Sequence, residues 1–264
     1  MRLKQRLSGL GHRARHPAAL LRTLSDPLDP LTLLANRFGT DKGSLAYSGH
    51  GYSEAYHEIL APLREQPVRL LEIGLLHRSD QGWLQDPVRY AGSASAARAP
   101  SLAMWSAYFP KGEIFGFDLN DFSGVRVERC TILRGDMGDR ADLAHLVQET
   151  GGGFDVVVED ASHASHHQQI ALAALFPAVK PGGVYFIEDL HFQRPELEAP
   201  DALKTAQLLR RAEQGLGFAS AHIEAAEADC LAAHVERIEL YDSLERGTSR
   251  AQRRDALAAL FKRG

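Results

Sequence analysis

A series of short apolar runs punctuates the middle of the chain, each stopped by a glycine or a carboxylate. They are Val68–Gly74, Glu113–Asp118, Cys130–Asp136, Phe154–Glu159 and Gly183–Glu188. Runs this short, rich in branched and aromatic residues, predict buried strands. Between them the apolar period lengthens, which predicts helices over Ser101–Phe109, Ala141–Glu149 and about Ser165–Val179, the last ended by Lys180-Pro181-Gly182-Gly183. Shorter helical stretches precede the first strand, at Leu31–Phe38 and Ala55–Leu60, the latter led by Tyr52-Ser53-Glu54. After Pro200 the pattern predicts a helix over Ala202–Leu216 and a sixth strand over His234–Tyr241. A basic tail, Arg250–Gly264, reads as a helix with Leu257, Leu260 and Phe261 on one apolar face.

Strands that alternate with helices predict an α/β fold with a doubly wound, mostly parallel sheet, whose ligands bind at the carboxyl ends of the strands. The expected organisation is a basic N-terminal arm over 1–30, a helical cap over 31–67, the main domain over 68–245 and a helical tail over 246–264. The polar, small-residue segment from His77 to Pro100 is long for a connection and borders the expected ligand mouth.

Composition narrows the classes. With 264 residues and 44% hydrophobic content, the chain has enough apolar material for one packed α/β core. A net charge of -4 gives no footprint for nucleic acid, and none is expected as a partner. Two distant cysteines, Cys130 and Cys230, fit a reducing compartment, so a cytoplasmic location is expected. No apolar run approaches the roughly 20 residues that cross a bilayer. The arm alternates Arg2, Lys4, Arg6, Arg13 and Arg15 with leucines, a pattern compatible with membrane contact but more often a solvated basic face.

The chemistry gathers at two strand ends, Glu159-Asp160-Ala161-Ser162-His163 and Ile187-Glu188-Asp189-Leu190-His191. If the two strands are neighbours, Asp160, Glu188 and Asp189 converge on one crevice, with His163 a turn away. Carboxylates so placed repel one another unless a cation sits between them, and an all-oxygen set suits Mg2+ better than Zn2+. The structural alternative for Asp160 or Ser162 is a cap on the helix that begins near Ser165. A zinc cluster of His163, His166 and His167 has no fourth ligand at useful spacing. The stripe of Trp105, Tyr108 and Phe109 reads as core packing.

Glu72-Ile73-Gly74 ends the first strand and Asp118 the second, where a carboxylate can accept hydrogen bonds from ribose hydroxyls. The dinucleotide fingerprint is absent, because Gly74-Leu75-Leu76-His77-Arg78 stands where Gly-x-Gly-x-x-Gly would be, and no Walker loop exists. A nucleoside cofactor without phosphates fits better, and S-adenosylmethionine is the commonest one in this architecture.

An ordered set of strings then carries a family resemblance: Phe38-Gly-Thr-Asp-Lys-Gly43, Leu70-Leu-Glu-Ile-Gly74, Ser101-Leu-Ala-Met-Trp105, Tyr108-Phe-Pro110 and Ile114-Phe-Gly-Phe-Asp118. Gly135-Asp136, Asp160-Ala-Ser-His163, Leu175-Phe-Pro177, Lys180-Pro-Gly-Gly183 and Ile187-Glu-Asp189 complete the order. Together they resemble the metal-dependent macrolide-sugar O-methyltransferases of the mycinamicin and tylosin type, from about Leu33 to Leu190. The resemblance implies a class I, Rossmann-like methyltransferase that uses S-adenosylmethionine and Mg2+ to methylate a sugar hydroxyl of a small glycosylated molecule. It implies Asp160, Glu188 and Asp189 as metal ligands and His163 as the general base. Glu72 and Gly74 would line the methionine side of the cofactor, Asp118 the ribose and Asp136 the adenine, with Ser101, Thr40 and Lys42 closing over it. Ala161 stands where the family usually has glycine, and little beyond Pro200 matches. Self-association is left open. The rival readings are a nicotinamide-dependent sugar oxidoreductase, disfavoured by the missing glycines, and a silent binding module, disfavoured by the intact acids and His163.

Overall fold

The computed structural model describes residues 27–44, 50–75, 99–242 and 256–264. Residues 1–26 of the basic arm, nearly all of the 77–100 segment and residues 246–255 of the expected tail lie outside them. Helix α1 (Pro30–Phe38) starts where the Asp29 carboxylate accepts from the amides of Leu31 and Thr32 at 3.0 and 2.9 Å. It stops at Gly39, whose left-handed φ of 69° lets its amide turn back to Ala35. Helix α2 (Tyr52–Leu60) comes next, then strand β1 (Arg69–Ile73) and helix α3 (Pro100–Tyr108). Beyond these run β2 (Glu113–Asp118), β3 (Cys130–Arg134), α4 (Arg140–Thr150), β4 (Phe154–Glu159) and α5 (Ser165–Leu175). The chain continues through β5 (Val179–Ile187), α6 (Thr205–Glu213), α7 (Ala225–His234), β6 (Val235–Asp242) and β7 (Ala256–Lys262).

The strands form one sheet in the order β3-β2-β1-β4-β5-β7-β6. Pairing is parallel from β3 through β5, and β7 runs antiparallel to both β5 and β6. The expected doubly wound, mostly parallel sheet is what the chain forms. Strand order reverses between β1 and β4, and the crevice that such a reversal opens lies at their carboxyl ends.

Successive strand residues face opposite sides, and the two halves of the core obey that rule. One face carries Leu71, Ile73, Val157, Tyr185 and Ile187 against residues of α4, α5 and α6. The other carries Leu70, Val156, Val158, Val184 and Phe186 against α1, α2 and α3, including Leu31, Tyr52, Tyr56, Trp105, Tyr108 and Phe109. The aromatic stripe of α3 is therefore core packing, as expected. Glu72 continues the second face and Glu188, two residues beyond Phe186, does the same. Alternation alone thus aims both carboxylates at the N-terminal helices.

Two of the expected elements come out differently, and one helix, α7, was not expected. The tail helix is wrong over Ala256–Lys262, which forms β7 between β5 and β6. Its alternate residues enter opposite cores, Ala256, Ala258 and Leu260 on one face and Leu257, Ala259 and Phe261 on the other. A strand buried on both faces loses its polar alternation, and its alanines imitate a helix former. The expected helix over Ser165–Val179 ends earlier, at Leu175, and passes through a turn of 3-10 helix (Phe176–Ala178) into β5. Lys262 ties that turn to the sheet, its ammonium donating to the carbonyls of Phe176, Pro177 and Val179 at 3.1, 2.9 and 2.7 Å.

Leu260 is fully buried and paired with Tyr185. Leu260→Ala is expected to cost about 2–5 kcal/mol in urea unfolding, the range for a cavity in a packed core. A loss below about 0.5 kcal/mol, typical of a surface position, would contradict a central β7.

Candidate functional site

Hydrogen bonding runs on past the strand ends and draws their tips together. Gly74 donates to Phe117 at 2.8 Å, Asp160 to Ile73 at 2.8 Å and Glu188 to Glu159 at 2.9 Å, all through backbone amides. Gly74 has φ +88°, and a β-carbon there would lie 2.1 Å from the Asp160 carbonyl oxygen. Only glycine permits that approach of β1 to β4.

The acids gather around one lysine. Lys42, delivered from the loop after α1, is 1% exposed, and its Nζ lies 2.9 Å from Glu188 and 3.5 Å from Glu72. It also pairs with Asp160 Oδ2. Burial works against the ammonium, but Asp160, Glu188 and Glu72 outweigh it and hold Lys42 protonated. Two tyrosines of α2, one turn apart, reach the same acids. Tyr56 donates to Glu188 Oε1 at 2.5 Å and Tyr52 to Asp189 Oδ1 at 2.9 Å. Burial pushes Glu188 well above the usual carboxylate range, and the neighbouring Asp160 adds to it.

Asp189 and His163 complete the group, with His163 Nε2 3.6 Å from Asp189 Oδ2. Both residues have left-handed backbone, at φ 54° and 59°, and the only other such non-glycine residue among those described is Arg129. Strain of this kind persists where surrounding structure enforces it, often at sites that do chemistry. One ligand atom each from Asp160, His163 and Asp189 lie within 4.8 Å of one another, the only such group among the described residues. No cluster of His163 with His166 and His167 forms there; His167 bonds Ser162 instead, at 2.8 Å. Nor does Asp160 cap α5, whose N-cap is Ala164.

The remaining sequence-derived candidates fall in two places. Ser101 lies buried in the first turn of α3, on the Glu72 side, and its hydroxyl helps restrain the Glu72 pKa. Thr40 is buried, its hydroxyl accepting from the Lys42 amide at 3.0 Å, so it shapes the loop that presents Lys42. Asp118 and Asp136 lie farther along the sheet, beyond the tips of β1, at the ends of β2 and β3. Asp118 accepts from the amides of Leu75 and Asn120, each at 2.7 Å, and the neighbouring Leu119 is exposed. Asp136 accepts from the Gly138 amide at 2.8 Å. The sequence pattern assigns no role to Tyr52 and Tyr56, and places Lys42 over the cofactor without foreseeing its contact with the acids. The four-residue spacing of the tyrosines is the available signal, since it puts both hydroxyls on one helix face.

The donor set suits both groups named by the resemblance. The oxygens of Asp160 and Asp189 with the His163 imidazole could hold a divalent ion, while Glu188, the expected third ligand, adjoins that group and is engaged by Tyr56 and Lys42. Glu72 is fully buried, and the neighbouring Ser101, Trp105 and Lys42 side chains approach its oxygens without closing a hydrogen bond of full geometry. A buried acceptor in that state is suited to a ligand's amino group, and exposed Leu119 beside Asp118 offers an apolar surface to a base.

No family model matches the chain. It is 39% identical over 171 residues to 8-demethyl-8-(2-methoxy-alpha-L-rhamnosyl)-tetracenomycin-C 3'-O-methyltransferase of Streptomyces olivaceus, a match covering 65% of this chain and 39% of that one. Over 160 residues it is 36% identical to mycinamicin VI 2''-O-methyltransferase of Micromonospora griseorubida, covering 61% and 36%. Among solved structures it resembles the MycE methyltransferase in complex with Mg, SAH and mycinamycin VI, with TM-score 0.62, 27% identity and coverage of 89% of this chain and 54% of that one. The chain therefore spans well under two thirds of the length of these three relatives. Its described region has the class I methyltransferase fold and is related in sequence to these sugar O-methyltransferases.

Two buried acids make stability pH-dependent. Burial raises Glu72 to about 7, with Lys42 pulling the other way. Burial raises Glu159, which faces α5, to about 8. Both are raised from an ordinary 4.5, so the folded chain keeps protons that the unfolded chain has lost. Stability of the ligand-free protein is then highest below about pH 4.5 as far as these groups go, and falls as pH rises through about 7 and 8. Each proton contributes at most about 1.4 kcal/mol per pH unit. Urea unfolding between pH 5 and pH 8 checks this, and Glu159→Gln is expected to flatten the slope; an unchanged slope in that variant would count against it.

Proposed function

We propose that this chain, related in sequence and fold to the sugar O-methyltransferases, transfers a methyl group from S-adenosylmethionine to a sugar hydroxyl of a small glycosylated molecule, with Mg2+ as the metal. The observation that carries the reading is the meeting of Asp160, His163 and Asp189 within 4.8 Å at the strand-order reversal. The names of the relatives, which concern rhamnosyl tetracenomycin C and mycinamicin VI, support a sugar-bearing acceptor.

When bound, S-adenosylmethionine supplies an electrophilic methyl group, and the divalent ion polarises the acceptor hydroxyl and lowers its pKa. Asp160, Glu188 and Asp189 would hold the ion. Tyr56 and Tyr52 fix Glu188 and Asp189 by hydrogen bonds at 2.5 and 2.9 Å, so those two acids are already oriented. His163 receives the acceptor's proton at Nε2, the ring atom that faces Asp189. Bound there, the cofactor would supply its methyl carbon to the acceptor oxygen and would keep the electron pair of the broken sulfur–carbon bond on sulfur. Glu72 and Gly74 would face the methionine arm of the cofactor, and Ser101 and Thr40 would close that end. Asp118 would accept from the ribose hydroxyls and Asp136 would lie at the adenine end. The proposed holding of both reactants at one crevice removes much of the entropic barrier.

The test feeds methyl-labelled S-adenosylmethionine to the protein with rhamnosyl and other deoxysugar-bearing compounds, with and without Mg2+. Label is expected in a sugar methyl ether only when the ion is present. His163→Ala is expected to lower turnover by about 10²-fold or more, with cofactor affinity by calorimetry near wild type. Full activity after EDTA dialysis would remove the metal from the reading, and wild-type turnover in the His163 variant would remove the base.

A further inference from the structure

Lys42 is the one cation on the acid cluster among the described residues, and the backbone fixes it there. Its own amide donates to Thr40 Oγ1 at 3.0 Å, and its carbonyl accepts from the Ser53 amide at 2.9 Å. One residue on, the Gly43 carbonyl accepts from the Gly51 amide at 3.1 Å. The loop is thereby strapped to the start of α2, whose tyrosines bind Glu188 and Asp189. The ammonium meets carboxylates from three strand ends, Glu72 of β1, Asp160 beyond β4 and Glu188 beyond β5.

Two of those acids, Asp160 and Glu188, belong to the set proposed to hold the divalent ion, so a role for Lys42 in ion binding rests on that reading of the site. A carboxylate oxygen that faces an ammonium is not free to face an ion as well, and the two cations repel at such range. Without either cation, buried acids would stand against one another uncompensated, a costly arrangement.

We propose that Lys42 is the built-in counter-ion of this site: its ammonium neutralises Asp160 and Glu188 while no divalent ion is bound, and ion binding displaces it from them. Lys42 is then a positioning residue. It keeps the acids gathered in the ion-free protein and weakens ion affinity by competing for the same oxygens.

Calorimetric titration of the whole chain with Mg2+ tests the exchange in wild type, Lys42→Met and Lys42→Arg. With the competing charge gone, Lys42→Met is expected to bind Mg2+ at least about tenfold more tightly, while Lys42→Arg stays near wild type. The ion-free Lys42→Met protein is expected to melt at a lower temperature, and Mg2+ to raise its melting point more than that of wild type. Equal or weaker Mg2+ binding by folded Lys42→Met overturns the proposal while leaving the metal reading intact. Absence of Mg2+ binding in wild type and both variants overturns the metal reading and the exchange with it. Should Lys42→Met fail to fold without the ion, wild type decides alone: the Nζ resonance of Lys42, assigned by its loss in Lys42→Arg, must shift on saturation with Mg2+. A resonance that stays in place overturns the proposal.

Discussion

Four carboxylates, Glu72, Asp160, Glu188 and Asp189, stand at the tips of adjacent strands, with Glu72 and Glu188 essentially sealed from water. Like charges gathered in a medium of low polarity repel strongly, so the architecture is tenable only with positive charge and hydrogen-bond donors placed against them. Lys42, Tyr52 and Tyr56 supply these, and all three come from the N-terminal helices and their loop. The central strands therefore provide the acids, and the helices before them provide what makes the acids tolerable.

That division ties the N-terminal helices to the sheet more closely than a cap over a finished domain would be. Leu31, Ala35, Tyr52 and Tyr56 share one core with Val156, Val158 and Phe186. Tyr56 packs edge-on against Phe186 at 4.7 Å while its hydroxyl reaches Glu188. One side chain thus joins the apolar interior to the polar crevice. Asp29, by capping α1 and bonding Thr32, which in turn meets Ser53 at 2.7 Å, sets the spacing of α1 and α2 from which the Lys42 loop hangs.

Much of this was legible in the chain. Strands β1 to β5 were visible because each is a compact apolar run with a glycine or an acid at its end. Asp160, His163 and Asp189 stood out because charge at the end of a buried strand has no packing purpose. What stayed hidden depends on contacts distant in sequence. Nothing near Lys42 shows that its ammonium will meet Asp160, 118 positions away. The tail misled because Ala256–Phe261 satisfies helical and strand periods alike, and only its place between two strands decides. Helix α7 escaped notice because Leu231 is its one buried residue, so it leaves almost no apolar stripe.

The position of β7 has a consequence for how the protein is made. The strand lies inside the sheet, between β5 and β6, although it comes after both in the chain. During synthesis, the outer edge of β5 has no neighbour until residues 256–262 leave the ribosome. Until then that edge offers unpaired amides and carbonyls, together with Tyr185 and Phe186, to any other extended chain. Folding of this domain is thus expected to finish only after translation passes β7, and the nascent protein to be most vulnerable to aggregation while β5 waits for its partner.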